Sequence, residues 1–315
     1  MHKVVVVGSI NQDIVFKLSE IPKAGQTLLA DNSLFMYGGK GANQAVSCSK
    51  LGVSCALIGK VGDDSFGLDY LDNLTKVNVD ISGVIVSETE KTGVAAICVD
   101  KNAQNAIVVA QNANGTLSKQ EVFKNTKLIE NAEYILVQNE IPCSINFEII
   151  TNTDKKLIYD PAPARKIEKK YLKNIFALTP NEEEVKEVLA EDDLSVYEVG
   201  LKLSQLGVVH VLITRGEKGV WYFYKNKGYS YPAYKISPVD TTGAGDTFNG
   251  ALAAYLAKGY KMSDAISYAQ GAAALSTQKV GAQSAMPEEE ELKSFIADYG
   301  VIKGQIIKNN GGNDE

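Results

Sequence analysis

The sequence has few of the side chains that most often carry metal or nucleophilic chemistry. Its 315 residues include only two histidines, His2 near the N-terminus and His210 inside the apolar run VVHVLIT. We expect His210 to be a core histidine whose hydrogen bonds are satisfied by its neighbours. This shortage disfavours Ser-His-Asp hydrolases and metal centres with histidine ligands.

The four cysteines exclude two further classes of protein. They are widely separated and form no C-x-x-C pair; they are Cys48, Cys55, Cys98 and Cys143. Neither a zinc site nor a disulfide-stabilised scaffold is therefore indicated. Because free cysteine is among the most buried residue types, we predict buried or incidental thiols.

Long apolar runs and an excess of positive charge are also absent. The longest purely apolar run near the start is Val4 to Val7, far shorter than a signal sequence or a membrane span requires. The formal net charge of -6 disfavours proteins that coat nucleic acid or anionic membranes. We therefore predict a soluble, cytoplasmic protein that binds neither nucleic acid nor membrane.

Segments of two kinds alternate along most of the chain. Short β-branched runs alternate with amphipathic helical stretches, which predicts parallel strands joined by crossover helices in an α/β sandwich. The clearest strands are VVVVG at 4–8, ALIGKVG at 56–62, YILVQ at 134–138, KLIYD at 156–160 and VHVLITRG at 209–216. Two long helices are predicted over 246–259 and 263–279. We expect a single domain over 1–303 and a disordered tail over 304–315.

Two stretches, 13–37 and 92–112, interrupt this alternation. In the second, GVAAICVDKNAQNAIVVAQ predicts two strands joined by a polar turn. We interpret both stretches as strands of a small β appendage placed to act as a lid. Because an unpaired sheet edge can pair with a second copy, we also predict a homodimer formed through this lid.

The segment DTTGAGDTFNG at 240–250 stands directly before the apolar helical pattern ALAAYLA. Small residues at Gly243, Ala244 and Gly245 leave backbone N–H groups unpaired at a helix start, which favours anion binding. There Asp246 can accept a proton from a hydroxyl, while the N–H groups stabilise charge on a transferred phosphoryl group. A structural loop with an aspartate cap would have the same letters.

Two familiar phosphate-binding motifs are absent. After VVVVG the chain continues with Ser9, Ile10 and Asn11, so it lacks the G-x-G-x-x-G turn of dinucleotide-binding proteins. The segment MYGGKGAN at 36–43 lacks the glycine-lysine spacing of a P-loop. Rossmann dehydrogenases and P-loop NTPases are therefore disfavoured.

Two signature regions, GGKGANQAV at 38–46 and DTTGAGDTFNGAL at 240–252, occur in this order. With them the sequence resembles the ribokinase-like carbohydrate kinases of the PfkB family, from about residue 3 to residue 297. Within that family it is most similar to the members that phosphorylate ribose; the segments that carry this similarity are GSINQD at 8–13, DPAPAR at 160–165, TPNEEE at 179–184 and GAQ at 281–283.

This resemblance implies a three-layer α/β/α sandwich with a mostly parallel sheet and a small β-sheet lid. It also implies ATP-dependent phosphorylation of D-ribose at the 5-hydroxyl, with Asp246 as base and Gly243–Gly245 as anion site. Other acceptors stay open, namely 2-deoxyribose, fructose or a nucleoside. A non-catalytic sugar sensor is a third reading, which the intact Asp246 and glycine-rich loop disfavour.

The resemblance implies a sugar site. Its residues would be Asn11, Asp13, Gly39, Lys40, Asn43, Glu140 and Asp246. Polyol recognition needs such paired donors and acceptors. Alternatively, Asn11 and Asp13 only form a turn, Lys40 is a solvated loop charge and Glu140 is a surface acid.

A nucleotide site is implied as well. Its residues would be Asn181, Thr214, Gly216, Lys218, Gly219, Gly245 and Gln270. The resemblance gives Glu184 a part in organising Mg²⁺ through water, although Asn181 and Glu184 could be only a helix cap. Gln270 would lie near adenine or be merely exposed on its helix, and Arg215 could be a solvated charge.

The resemblance finally implies a site for K⁺ or a similar monovalent cation that orders the anion loop. Its ligands would be Asp240, Thr242, Ser276, Lys279, Gly281 and Ala285, mostly through backbone carbonyls. This sequence departs from the family twice. Ala285 stands where a serine is frequent, which bears on potassium activation, and Asn112 stands where a glycine often begins the lid segment.

Overall fold

A computed structural model describes residues 2–102, 104–191 and 193–307. The strands are β1 Val4–Val7, β2 Asn11–Lys17, β3 Asn32–Gly38, β4 Cys55–Gly62, β5 Val79–Ser87, β6 Gly93–Val99, β7 Asn105–Ala110, β8 Tyr134–Val137, β9 Lys156–Tyr159, β10 Ala177–Leu178, β11 His210–Thr214, β12 Val220–Tyr224, β13 Lys227–Tyr231 and β14 Gln305–Ile306. The α-helices are α1 Lys40–Lys50, α2 Ser65–Lys76, α3 Lys119–Phe123, α4 Thr126–Asn131, α5 Cys143–Asn152, α6 Lys169–Leu172, α7 Glu184–Leu189, α8 Val196–Gln205, α9 Ala244–Ala257, α10 Met262–Ser276 and α11 Glu289–Tyr299.

The large sheet has the order β14-β13-β12-β11-β10-β9-β8-β1-β4-β5. Its strands from β11 to β5 are parallel, and β12, β13 and β14 add an antiparallel edge. Every residue of β1 is fully buried, because a strand between two helical layers buries both faces. Val4 and Val6 belong to the core cluster that includes residues of α1, α9 and α10, whereas Val5 and Val7 belong to the cluster that includes residues of α5 and α8. The predicted three-layer α/β/α sandwich is confirmed.

A second, smaller sheet has the order β3-β2-β6-β7. It is mixed, because β2 pairs antiparallel to β3 but parallel to β6. Its four strands come from the two stretches that interrupt the α/β alternation. One edge is β7, on which Ile107, Val108 and Val109 are 54%, 72% and 46% exposed.

Two sequence predictions differ from the structure at the C-terminal end of the chain. The antiparallel edge of the large sheet, formed by β12, β13 and β14, was not among the predicted strands. The predicted tail over 304–315 begins too early, because β14 pairs with β13 and the Ile307 N–H donates to the Gly228 carbonyl at 2.9 Å. The rest of that predicted tail, residues 308–315, lies outside the described residues.

The interior assignments from composition are mostly confirmed. Cys48 and Cys55 are buried free thiols, and Cys98 and Cys143 are partly buried. His210 Nδ1 lies 2.7 Å from the Tyr222 hydroxyl. Burial lowers the pKa of His210 to about 4, so this ring is neutral at physiological pH. In the described part of the chain no helix is both long and apolar enough to cross a membrane.

Helices α1 and α9 cross at close range over the carboxyl end of β1. A Cβ added at Gly250 would lie 2.5 Å from the Gln44 carbonyl oxygen, so only glycine permits this approach. The Ser47 hydroxyl also donates to the Thr247 carbonyl at 3.0 Å. The crossing brings the first turns of the two helices together, at the sheet edge where open α/β folds hold ligands.

Candidate active site

The N-terminus of α9 is an open, glycine-lined helix start. Gly243 precedes it in the left-handed region, with φ of 72°, a conformation that glycine adopts without strain. A Cβ added at Gly245 would meet nothing within 4 Å, so this backbone faces free space. The first N–H groups of a helix have no partner within it. Here the Ala244 N–H donates to the Thr241 carbonyl at 3.2 Å, whereas the N–H groups of Gly243 and Gly245 make no backbone hydrogen bond among the described residues. Of the three residues predicted to form an anion site, Gly243 and Gly245 therefore keep N–H groups that an anion could use.

The carboxylate of Asp246 is buried in the first turn of α9, with the residue only 6% exposed. Its Oδ2 accepts a hydrogen bond from Asn43 Nδ2 at 2.9 Å. Its Oδ1 lies 3.3 Å from Gln44 Nε2 and 3.8 Å from Lys40 Nζ. Three side chains of α1 thus hold this carboxylate in one orientation, which is what a positioned base requires.

A second carboxylate, that of Asp160, lies on the other side of Lys40. Lys40 Nζ is 3.9 Å from Asp160 Oδ2, and Gln44 Nε2 donates to the same oxygen at 2.9 Å. Lys40 is therefore no solvated loop charge. Burial acts to lower the pKa of Lys40, but the carboxylates of Asp246 and Asp160 raise it above its usual value, so the ammonium stays charged.

Sequence reasoning did not assign a part to Asp160 or Gln44, although both lie inside quoted motifs. Burial raises the pKa of Asp160 to about 7; Lys40 opposes this shift, and the carboxylate of Asp246 adds to it. Behind Gln44, Gln138 Nε2 donates to Gln44 Oε1 at 2.7 Å. Gln44 is thus fixed so that its N–H groups face the two carboxylates.

The raised pKa of Asp160 predicts a pH-dependent stability. Between about pH 4 and pH 7 the folded protein holds a proton that the unfolded chain has released, so stability falls as pH rises through this window. Asparagine cannot ionise. We therefore expect the unfolding free energy of Asp160→Asn minus that of wild type to increase by about 2 to 3 kcal/mol when the pH is raised from 5 to 8. Urea denaturation at the two pH values measures this change.

The solvent-exposed Asp154→Asn is the matched control, and it should show the same difference from wild type at both pH values. A difference between Asp160→Asn and wild type that does not change from pH 5 to pH 8 would refute the raised pKa of Asp160.

Asn11 and Asp13 lie on strand β2 and not in a turn, so the turn alternative is wrong. Asn11 is 3% exposed, and its Oδ1 accepts from Asn114 Nδ2 at 2.8 Å. Asn114 also bonds both backbone groups of Ile10, at 2.9 Å each. This leaves the N–H groups of Asn11 as the donors available to a ligand. Sequence reasoning missed Asn114, which holds the end of β1 and the start of β2 in place.

The carboxylate of Asp13 lies directly over Gly38. A Cβ at Gly38 would be 2.0 Å from Asp13 Oδ2, so the carboxylate occupies the space that a side chain there would need. Burial first, and then the negative charges of Glu140 and Asp246, raise the pKa of Asp13 to about 7. Near neutral pH this group can therefore accept or donate a hydrogen bond, as a sugar hydroxyl can.

The turn before α1 closes this side of the site. Gly39 has φ of 86°, and a Cβ there would lie 2.6 Å from the Asn11 nitrogen. Glu140 Oε2 accepts from the Ser9 hydroxyl and, at 3.0 Å, from the Lys40 N–H. Glu140 is thus no loose surface acid, because it caps α1 and fixes the turn.

The family departure at Asn112 has little structural consequence. Asn112 has φ of 45°, in the left-handed region where glycine is favoured and where asparagine is tolerated better than most residues. Its side chain donates to the Thr92 carbonyl at 3.0 Å. The segment therefore keeps the backbone turn that a glycine would make.

On the other side of the α9 N-terminus lies a cavity of about 330 Å³ between the β11–β12 turn and α10. Five residues of the predicted nucleotide site line it, together with Ala244 of the anion loop: Thr214, Gly216, Gly219, Gly245 and Gln270. Its other walls are largely apolar, including Val220, Ile236 and Ala273. Two other residues of the predicted nucleotide site, Asn181 and Lys218, are not among the lining residues, and the Lys218 side chain is exposed on the 3-10 turn Gly216–Lys218.

Gln270 faces this cavity and is only 7% exposed, so the interpretation as an exposed helical glutamine is wrong. Its Nε2 donates to the Pro232 carbonyl at 3.2 Å. Its Oε1 is buried without a partner among the described residues. An unpaired buried acceptor is costly, so this oxygen is ready for a ligand N–H.

Asn181 and Glu184 form a reciprocal cap at the start of α7. Asn181 Oδ1 accepts from the Glu184 N–H at 2.8 Å, and Glu184 Oε2 accepts from the Asn181 N–H at 2.9 Å. The capping alternative is therefore real, and it leaves Glu184 Oε1 for another partner. The backbone of Asn181 also forms an isolated parallel β-bridge with Thr214, which lines the nucleotide cavity.

The neighbouring Arg215 is not a solvated charge. Its Nε lies 2.8 Å from Glu182 Oε1, and its guanidinium stacks 3.6 Å from the Trp221 ring centroid. The side chain is 13% exposed. Arg215 thus ties the turn after β11 to the segment before α7.

Two of the predicted cation residues, Thr242 and Gly281, bond to the carboxylate of Asp240. Asp240 Oδ1 accepts from the Thr242 N–H and Oδ2 from the Gly281 N–H, both at 2.9 Å. Partial burial acts to raise the pKa of Asp240, but a hydrogen bond from the Thr242 hydroxyl, at 2.6 Å, and the two N–H bonds hold that pKa below its usual value. Ala285, the last predicted ligand, is fully buried. The hydroxyl of the preceding residue, Ser284, donates to the Val280 carbonyl at 3.2 Å. The Lys279 side chain pairs with Glu291 at 2.7 Å, so only its backbone is available here.

A buried carboxylate at a glycine-rich helix start, with polar side chains on one side and an apolar cavity on the other, is the arrangement of a kinase that phosphorylates a hydroxyl compound. The chain belongs to the pfkB family of carbohydrate kinases, because the sequence model of that family matches residues 1–289. It is therefore a carbohydrate kinase.

Several proteins similar to this chain are ribokinases. The ribokinase of Haemophilus influenzae is 36% identical over 298 residues, which cover 92% of this chain and 97% of the relative. A crystal structure of ribokinase from Thermotoga maritima is 37% identical with a TM-score of 0.88, covering 94% of this chain and 100% of that one. A structure of Arabidopsis thaliana ribokinase complexed with ribose and ATP is 30% identical with a TM-score of 0.85, covering 94% and 98%.

Proposed function

We propose that this protein transfers the γ-phosphoryl group of ATP to the 5-hydroxyl of D-ribose. The observation that carries this proposal is the place of the buried Asp246, at the N-terminus of α9 between the Asn11–Asp13 strand and the Gln270 cavity. Ribokinases at 36% and 37% identity, and one solved with ribose and ATP, support ribose as the acceptor.

Asp246 would accept the proton of the 5-hydroxyl as that oxygen attacks the phosphorus. The N–H groups of Gly243 and Gly245 and the ammonium of Lys40 would stabilise the charge on the transferred group. Phosphoryl transfer has a loose transition state, so aligning the hydroxyl matters more than the strength of the base. The two hydrogen bonds and one ion pair that α1 makes to Asp246 supply this alignment.

The ribose would lie between β2 and the turn before α1. Its hydroxyls would exchange hydrogen bonds with Asn11, Asp13 and Asn43, and Glu140 would complete this side of the pocket. The adenine would lie in the largely apolar cavity, where its exocyclic amino group can donate to the unpaired Gln270 Oε1. Thr214, Gly216 and Gly219 would line the path of the ribose and phosphates of ATP.

Mg²⁺ fits the acidic side of the site. One carboxylate oxygen of Glu184, Oε1, makes no hydrogen bond among the described residues. Asp160 and Glu184 both lie close enough to Lys40 for their negative charges to raise its pKa. Hard Mg²⁺ prefers carboxylates and retained waters, so Glu184 would hold the ion through water. The bound ion would neutralise charge on the triphosphate.

Glu184→Gln tests this assignment, because glutamine keeps the oxygen that caps the Asn181 N–H and removes the negative charge. We expect the Mg²⁺ concentration for half-maximal rate to rise by about 10-fold, as for other outer-sphere ligands. The adjacent exposed Glu183→Gln is the control. If Glu184→Gln shows the Mg²⁺ dependence of wild type, Glu184 does not organise the metal.

A monovalent cation such as K⁺ fits the loop beside Asp240. The donors would be the Asp240 carboxylate and the carbonyls of Thr242, Ser276, Lys279 and Gly281, which suit a weakly hydrated ion. The last ligand would be the backbone of Ala285, without the hydroxyl that a serine would add. We therefore expect activation by K⁺ that involves the Asp240 carboxylate and backbone carbonyls, with no contribution from a hydroxyl at position 285.

The small sheet would close over the sugar as a lid and pair with a second copy. Strand β7 supports the pairing, because its exposed edge carries Ile107, Val108 and Val109. A homodimer acting in the cytoplasm is thus part of the proposal. Elution from gel filtration at the size of a monomer, at working concentration, would contradict the dimer.

The acceptor is tested by ADP release from Mg-ATP with D-ribose, 2-deoxyribose, fructose, adenosine or uridine, each with and without K⁺. We expect the highest kcat/KM for D-ribose and a higher rate with K⁺. Turnover of another acceptor but not of ribose would overturn the sugar assignment and leave the kinase assignment intact. The same rate without K⁺ would contradict only the cation proposal.

A further inference from the structure

A chain of buried hydrogen bonds runs from strand β3 of the lid to the carboxylate of Asp246. The Tyr70 hydroxyl donates to the carbonyl oxygen of Gly38. Gln283 Nε2 donates to the Tyr70 oxygen at 2.7 Å and to Asn43 Oδ1 at 3.0 Å. Asn43 Nδ2 then donates to Asp246 Oδ2 at 2.9 Å. Tyr70, Gln283 and Asn43 are 0%, 7% and 5% exposed.

The two ends of the chain set the direction of every bond in it. A backbone carbonyl and an ionised carboxylate can only accept hydrogen bonds. Tyr70 gives its one hydrogen to Gly38, so its oxygen accepts from Gln283. Because both N–H groups of Gln283 are then used, Asn43 presents its oxygen to Gln283 and its nitrogen to Asp246.

Gln283 is itself held from several sides. Its Oε1 accepts from Asn73 Nδ2 of α2 at 3.2 Å. In the same loop, the Gly281 N–H donates to the Asp240 carboxylate. Ala282 packs closely against Gly243, because a Cβ added at Gly243 would be 3.0 Å from the Ala282 Cβ. The amide of Gln283 is therefore a fixed reference for the orientation of its neighbours.

We propose that Gln283 is a positioning residue that locks the amide of Asn43 in the orientation which gives Asp246 a hydrogen-bond donor. Without this lock the Asn43 amide can turn over and place its oxygen against the carboxylate. Two acceptors repel each other, so the carboxylate would turn away from the acceptor hydroxyl. The inference rests on the proposed function, because it takes Asp246 as the base.

Two substitutions of Gln283 distinguish orientation from simple packing. In Gln283→Glu the new carboxylate attracts donors, so it draws the Asn43 N–H groups away from Asp246. Gln283→Met keeps the length of the side chain but neither attracts nor repels the amide. We expect kcat to fall by about 10-fold or more in Gln283→Glu and by only about 2- to 5-fold in Gln283→Met. The KM for ATP should not change in either variant.

The control is Gln205→Glu, which makes the same change on an exposed position of α8 and should leave the rate unchanged. A packing role predicts the opposite order, with Gln283→Met at least as slow as Gln283→Glu, and that order would overturn the proposal. A wild-type rate for Gln283→Glu would do so too. If Gln283→Glu does not fold, Gln283→Met decides alone: a wild-type kcat refutes the lock.

These outcomes are separable from failure of the proposed function. An inactive wild-type protein with ribose and Mg-ATP would refute the proposed function, whereas an active wild type with the wrong order of variants would refute only the part given to Gln283. Thermal melting of each variant shows whether a fall in rate reflects loss of folded protein.

Discussion

Asp246→Asn is expected to lower kcat by about 10²-fold or more, which is the usual loss when a positioned base is removed. Asparagine has nearly the same shape and can still accept from Asn43, so the buried site stays packed. It cannot take up the proton of the acceptor hydroxyl. The KM for ribose should therefore change little, and initial rates of ADP release measure both constants.

Asp298→Asn, on the exposed face of α11, controls for the loss of one negative charge and should behave as wild type. If Asp246→Asn retains the wild-type kcat, Asp246 is not the base. If kcat and ribose affinity fall together, the carboxylate acts mainly in binding the sugar.

Asp13→Ala is expected to raise the KM for ribose by about 10²-fold, because hydrogen bonds to a buried carboxyl group contribute most of such a factor. Removing the side chain also leaves a space above Gly38, where the carboxylate now lies. The KM for ATP should not change, because the nucleotide cavity is lined by other residues. Initial rates over a range of ribose concentrations measure the effect.

Asp13→Asn refines this test. Asparagine both donates and accepts, as the carboxyl group of Asp13 can near its raised pKa of about 7. We expect the KM for ribose of Asp13→Asn to lie between the values of wild type and Asp13→Ala. The exposed Asp72→Ala on α2 is the control. An unchanged KM for ribose in Asp13→Ala would remove Asp13 from the sugar site.

The sequence predicted the parts of the fold that depend on local pattern. A run such as VVVV must be buried on both faces, and it forms β1 at the centre of the sheet. The helices predicted over 246–259 and 263–279 are α9 and α10. Strands β12 and β13 were missed because VWYFY and KGYSY are mostly aromatic and polar, whereas the predicted strands were runs rich in β-branched residues.

The candidate site was predicted wherever a motif carries its own chemistry, as at Gly243–Asp246. The residues that support the site were missed because their partners are far away in the chain. Gln44 and Asp160 are 116 residues apart, and Asn43 and Gln283 are 240 residues apart. No local pattern reports such pairs. Both glutamines lie inside quoted motifs, and that is the only sequence signal that singles them out.

The proposed reaction is the transfer of a phosphoryl group from ATP to the 5-oxygen of D-ribose. Phosphorus and carbon NMR of the product formed from D-ribose and Mg-ATP test it most directly. We expect ADP together with a single sugar phosphate whose phosphorus couples to C5. A phosphate at another carbon, or hydrolysis of ATP that leaves ribose unchanged, would contradict it.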